Sequence, residues 1–179
     1  MNVTHATLHE RLAALDQQAW LARFRSRNEL RRLVDDMLRL APPGSAAEAK
    51  GHYHCAVWAW QANEREQSRT ARARALSIFE QHGDIAGIAN CRDLEALAER
   101  LAGNLQHAAE LYKINRDLPE SARAAAEHCM TCSGEGAVLL ATGQHDACQR
   151  VWSIAVSLAQ RASNPGLEVS TLCNLGAWN

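Results

Sequence analysis

Apolar positions along this chain come in short, interrupted stretches made mostly of Ala and Leu. Runs of Val, Ile, Thr, Tyr or Phe, which a pleated strand favours, are almost absent. Ala, Leu, Arg, Glu and Gln, all good helix formers, take their place. Thr7-x-x-Glu10, Ser26-x-x-Glu29 and Ser45-x-x-Glu48 each read as a capping box, in which the hydroxyl takes a first-turn N–H and the glutamate reaches back to the cap. They predict helices near 8–22, 27–41 and 46–62, with Pro42-Pro43-Gly44 between the second and third. A fourth helix begins at Asn63 and stops at Gly83, a left-handed terminator. Asp84 caps a fifth, to about Ala102 and Gly103. Asn104 caps a shorter sixth, to about Leu118. Pro119 sits just inside the seventh, where its missing N–H is harmless, and that helix runs to Thr142 and Gly143. An eighth covers roughly 145–162, and Asn164-Pro165 opens a ninth.

The punctuation has a period. Asn63, Gly103 and Gly143 are 40 residues apart. Small residues lie seven before each turn (Ala56, Ala96, Gly136) and again at Gly176. Small residues also lie five after it (Ser68, Ala108, Cys148) and fourteen before it (Ala49, Ala89, Cys129, with Val169 in the same place). Nine after it, Tyr112 and Trp152 are bulky although Arg72 is not. Twelve after it come Ala75, Asn115 and Ala155, and only the asparagine departs. Small residues facing bulky ones let two antiparallel helices approach closely. A fixed period of this size means stacked helix pairs. The expected fold is all-α, a right-handed solenoid of about nine helices with consecutive helices antiparallel.

GNLQHAAELY at 103–112, with Gly-Asn, then Ala108, then Tyr112, resembles the turn and second helix of the tetratricopeptide family. LCNLGAW at 172–178 is similar to the start of its first helix, and GDIAGIA at 83–89 to the inter-repeat turn of the long-helix bacterial variants. The resemblance covers residues 45–179, three repeats of about 40 residues plus the first helix of a fourth. Residues 1–41 read as an N-terminal capping helix pair. Because solenoid ends normally carry a polar cap, the apolar Leu172, Leu175 and Trp178 suggest the N-terminal part of a longer protein.

Composition narrows the function classes. Lys+Arg 19 against Asp+Glu 20 gives a net charge of −1, so there is no global pull toward nucleic acid or acidic membrane. Alanine supplies 33 of 179 residues and Arg outnumbers Lys 17 to 2, a bias associated with GC-rich bacterial genomes. No apolar run nears the ~20 residues needed to span a bilayer, and MNVTHATLHERLAALDQQ is too polar for a signal peptide. Six cysteines then read as reduced cytosolic thiols. The basic runs Arg23–Arg32 and Arg69–Arg74 read as salt-bridged solvated faces, because Glu29, Asp35 and Asp36 interrupt the first at helical spacing.

Candidate chemistry is sparse. His128, Cys129 and Cys132, with His52, His54 and Cys55, contain metal-ligand types. But the C-x-x-C lies mid-helix, and Cys129 holds a small packing position. No serine elbow or glycine-rich phosphate loop accompanies the histidines. The expectation is no catalytic residue, no metal, no cofactor and no disulfide, with Cys91, Cys129, Cys132 and Cys148 buried. Tyr53, Trp58 and Trp60 cannot all share one helix face, so part of this aromatic surface must be covered by a neighbouring helix or line a groove.

The family resemblance implies a concave groove lined by first helices. By register that lining includes Lys50, Tyr53, Val57, Trp60 and Gln61; Asn90, Asp93, Leu97, Arg100 and Leu101; and Met130, Ser133, Ala137 and Leu140. The mix suits a protein or peptide partner, or a small ligand; the alternative is that longer helices close the groove and the same residues are core. The GD-x-x-G-x-A turn resembles segments that precede GGDEF diguanylate cyclase domains. The resemblance therefore implies a cytoplasmic, non-catalytic sensory segment controlling a C-terminal signalling domain in the same chain, without nucleic-acid or membrane contact. A stand-alone interaction adaptor and a part of a transcription regulator are the alternatives, and a homodimer is compatible with any of them.

Overall fold

The structure, a computed structural model, describes residues 7–163 and 165–176. Among the described residues all regular structure is helical, as expected. The elements are α1 (Leu8–Ala22), α2 (Arg27–Leu40), α3 (Ala46–Gln61), α4 (Arg65–His82), α5 (Ile85–Ala102), α6 (Leu105–Arg116), a 3-10 turn (Glu120–Ala122), α7 (Ala125–Ala141), α8 (His145–Arg161) and α9 (Pro165–Gly176). The chain divides into two compact units, residues 1–91 and 92–179.

Local chemistry sets the helix starts. At α1 both halves of the capping box form: Thr7 Oγ1 accepts the Glu10 N–H at 3.2 Å, and Glu10 accepts the Thr7 N–H at 2.6 Å. Ser26 and Ser45 supply only the hydroxyl half, to the Glu29 and Glu48 amides. The Glu48 carboxylate reaches past its cap to the Gly44 N–H at 2.5 Å. Asp84 caps α5 through the Gly87 amide at 2.9 Å. Asn63 is a left-handed turn residue, φ 65°, and α4 starts two residues later. Asn104 stands at the cap of α6, but its side chain donates to Glu99 instead. The cap at Asn164 and the residue Trp178 lie outside the described residues.

One expected boundary is corrected. Pro119 does not open α7: α6 ends at Arg116, the 3-10 turn follows, and α7 starts only at Ala125. Arg123 between them is extended, φ −144° and ψ 153°, with its side chain buried. Burying that guanidinium against its partners breaks the helix.

In the first unit, Leu12, Leu30, Leu33, Val34, Met37 and Phe79 form the large buried side chains. The α3–α4 hairpin closes on small residues: Ser68 Oγ donates to the Ala56 carbonyl at 2.8 Å. A Cβ on Gly87 would strike the Phe79 ring, so α5 starts close against α4. In the second unit, Tyr112 of α6 packs on Gly134 of α7, and Trp152 of α8 on Gly136. Ala96, Ala108, Tyr112 and Val138 form one cluster. Cys129, Cys132, Val151, Ala155 and Leu158 form another, which Leu167 of α9 joins from its edge.

The positions that recur every 40 residues are the ones with no room. Ala49, Ala56, Ser68 and Ala75 are buried, as are Ala89, Ala96, Ala108, Tyr112 and Asn115, and then Cys129, Gly136, Cys148, Trp152 and Ala155. Arg72, the one misfit in the bulky series, is only half-buried. On α9 the pattern ends: Val169 is 61% exposed, Leu172 46% and Gly176 exposed, while Thr171 is buried.

Candidate ligand-binding site

Asp16 lies on the face of α1 that meets α3. Its carboxylate accepts His54 Nε2–H at 2.8 Å and Lys50 Nζ at 2.6 Å. Lys50 and His54 sit one helical turn apart, so both reach a single acidic group. Burial by itself pushes the Asp16 carboxyl up; the hydrogen bonds from His54 and Lys50, with the Lys50 charge, outweigh it and hold the group below its usual range. Burial pushes the His54 imidazole down, against the pull of Asp16, so the ring is held neutral. Its Nδ1 is buried without a hydrogen-bond partner.

Beside this pair opens a pocket of about 510 Å³. Its wall is Leu8, Leu12 and Ala13 of α1, Met37 of α2, Pro42, and Ala46 and Ala47 of α3. The polar groups are few: His9, Ser45, Asp16 and Lys50. An apolar cleft of ~300–1,000 Å³ with a few convergent polar groups has the form of a small-molecule site. The Lys50 side chain is 45% exposed against 26% for Asp16, so the more accessible charge is the ammonium.

The other residues expected in a groove are distributed as follows. Tyr53 is buried, its hydroxyl accepting long hydrogen bonds from Arg23 at 3.4 and 3.5 Å. Arg23 also lies over Trp20, 4.0 Å from the ring centroid. Trp58 carries Arg31 of α2 at 4.4 Å, and Trp60 carries Arg65 at 3.7 Å. The three aromatics thus diverge from α3 onto three different neighbours. Gln61 donates to the Arg23 carbonyl at 2.8 Å. Asn90 is half-buried near the start of α5.

In the second unit Asp93 is drawn into a polar cluster. It accepts Asn115 Nδ2 and, on its other oxygen, Arg123 and the Thr131 hydroxyl, each at 2.7 Å. Asn115 in turn accepts Arg92 at 2.7 Å. Arg100 is half-buried beside Tyr112, whose ionisation burial pushes well up. Met130 and Ser133 are half-buried on α7, and the Ser133 carbonyl accepts Trp152 Nε1–H at 3.2 Å. Next to them Arg116 pairs with Glu135, whose carboxyl burial pushes up against the pull of that arginine. Sequence reasoning did not identify Asp16, Arg123, Thr131 or Glu135. Asn115 carried a signal, as the polar residue at a position where its repeat equivalents are alanine.

The residues with metal-ligand chemistry are held apart by other bonds. His52 pairs with Glu48, His54 with Asp16, and His128 donates to the Arg116 carbonyl at 3.2 Å. Cys91, Cys129, Cys132 and Cys148 are buried, as expected. Burial pushes the Cys132 thiol up to about 12, helped by Glu135, so it stays protonated near neutral pH. Among the described residues no three ligating side chains gather, and no helix is long and apolar enough to cross a membrane. No family model matches this chain, and no curated protein matches it either.

Proposed function

We propose that this chain is a non-catalytic, ligand-responsive helical-repeat module. In this reading it is a right-handed tetratricopeptide-like superhelix whose ligand-facing side carries Lys50, Trp60, Gln61, Asn90, Arg100, Met130 and Ser133, with the buried Tyr53 and the part-buried Asp93 supporting that side from within. It acts as the cytoplasmic regulatory segment ahead of a bacterial signalling domain, of the GGDEF diguanylate cyclase type. The observation that supports it is the recurrence of fully buried small positions every 40 residues, from Ala56 and Ala96 to Gly136. Repeats built this way touch chiefly their neighbours. A ligand that prefers one tilt between them shifts the whole array toward that tilt, with a coupling of ~1–3 kcal/mol.

The test places spin labels on α1 and α9 of the full chain and reads their separation while a panel of small acids, amines, neutral amphiphiles and short peptides is added. At least one class should change the distance. Trp60→Ala and Arg100→Ala should weaken that response about tenfold or more while leaving the urea midpoint in place. The reading fails if both substitutions cost several kcal/mol of stability and leave every response intact.

A further inference from the structure

The pocket between α1 and α3 has an asymmetry that selects its occupant. Its walls are aliphatic, from Leu8, Leu12 and Met37 to Ala47. At its polar end Asp16 already accepts on both oxygens, from His54 and from Lys50. Lys50 spends one of its three N–H donors on that contact and keeps the more exposed side chain of the two. The first turn of α3 adds to this. Ala46 and Ala47 line the pocket, and amides at these positions have no partner inside the helix. The two remaining Lys50 N–H donors and the first-turn amides thus stand together at the polar end, at the positive end of a helix dipole.

We propose that this pocket binds a small aliphatic carboxylate, with its chain against Leu12 and Met37 and its carboxylate on Lys50 Nζ and the α3 amides. The inference rests on the ligand-responsive reading above and names the ligand class for one part of that surface. A bare anion would have too little to bury, and a neutral chain would leave the two remaining Lys50 N–H donors to water. A cationic chain would meet Lys50 with like charge and find Asp16 already occupied.

The test is calorimetric titration of the full chain with hexanoate, octanoate and decanoate below their micellar concentrations, beside decanol and decylamine. Affinity should rise about fourfold per methylene until the cavity is full. Lys50→Met should weaken decanoate at least tenfold and leave decanol unchanged, and Lys50→Arg should keep the acid. Ala13→Leu and Ala46→Leu, at exposed positions that tolerate bulk in the fold, should abolish binding by filling the space. If decanol or decylamine binds as well as decanoate and Ala13→Leu still blocks it, the pocket is the site but the carboxylate assignment is overturned. If all chains bind Ala13→Leu and Ala46→Leu as tightly as the parent, the pocket proposal is wrong. The ligand-responsive reading is then judged separately by the α1–α9 distances and the Trp60 and Arg100 variants.

Discussion

Gly136→Ala should destabilise the protein, although the same change at an open helical site stabilises it. An alanine inside a helix is favoured over glycine by ~0.5–1 kcal/mol. At Gly136, however, the added Cβ would come within 2.8 Å of three atoms of the Trp152 indole. The indole is 97% buried and cannot swing away cheaply. Overpacking of this kind costs ~1–3 kcal/mol. Displacing the ring also strains the bond from Nε1 to the Ser133 carbonyl, and a buried donor left unsatisfied costs about 1–3 kcal/mol more. The strain terms exceed the propensity gain, so a net loss of about 2 kcal/mol is expected. Urea unfolding followed by circular dichroism reads it directly. Gly176→Ala, where the new methyl meets nothing within 4 Å, is the control and should be neutral or slightly stabilising. A double-mutant cycle with Trp152→Leu isolates the clash: the double variant should be more stable than the two single losses added, by at least ~1 kcal/mol. A Gly136→Ala protein more stable than the parent, with no coupling to Trp152, would refute the close-packed hairpin.

Three further outcomes follow from the polar interior and the thiols. Asp93→Ala strips the 99%-buried Arg123 side chain of that countercharge and should cost about 3 kcal/mol or more by urea unfolding; a loss under 1 kcal/mol would contradict the cluster. His54 is held below its usual 6.5 in the fold, so the unfolded chain takes up that proton first; stability should be full above that pH and fall as pH drops below it, with His52 and then Asp16 acting in the same direction. His54→Gln should flatten the urea midpoint between pH 7 and 5.5, and an equally steep profile in the variant would reject the assignment. Among the six thiols, exposed Cys173 should react with Ellman's reagent at once and half-buried Cys55 slowly, while buried Cys91, Cys129, Cys132 and Cys148 wait for denaturant; rapid labelling of Cys132 would show that its burial is misread.

What was legible in advance is what glycine, proline and short polar side chains control. The left-handed residues at Asn63, Gly83, Gly103 and Gly143 end helices where the sequence places them, because the positive φ there is a local requirement. The 40-residue series of small residues also marks the buried interfaces, since a helix pair can approach closely only where small residues on one helix receive the bulky ones of its partner. The start of α7 departs from the sequence pattern for a nonlocal reason. Pro119 is a sound helix opener by its own chemistry, but Arg123, four residues on, is pulled extended by Asp93 and Thr131. Those partners lie 30 residues before it and 8 residues after it in the chain, and no local pattern announces them. The pocket was half legible. Lys50 follows from register, whereas Asp16 pairs with it across 34 residues, and the sequence marks α1 only as part of a cap.

The two polar clusters interrupt a regular framework in different ways, and the difference bears on what each does. Around Asp93 both carboxylate oxygens are used, Asn115 fills a repeat position in the interior, Thr131 is buried beside it, and α6 ends early. A network this directional is lost in any slipped pairing of these Ala-rich helices. Its natural role is to fix register. Around Asp16 the bonds do not close. His54 leaves Nδ1 unused, Lys50 keeps donors, and a cavity lies alongside. Had register been the only demand there, a leucine in place of Lys50 would have filled the space without a charge to solvate. A half-exposed ammonium beside an aliphatic cavity is better explained by something that arrives from outside the chain.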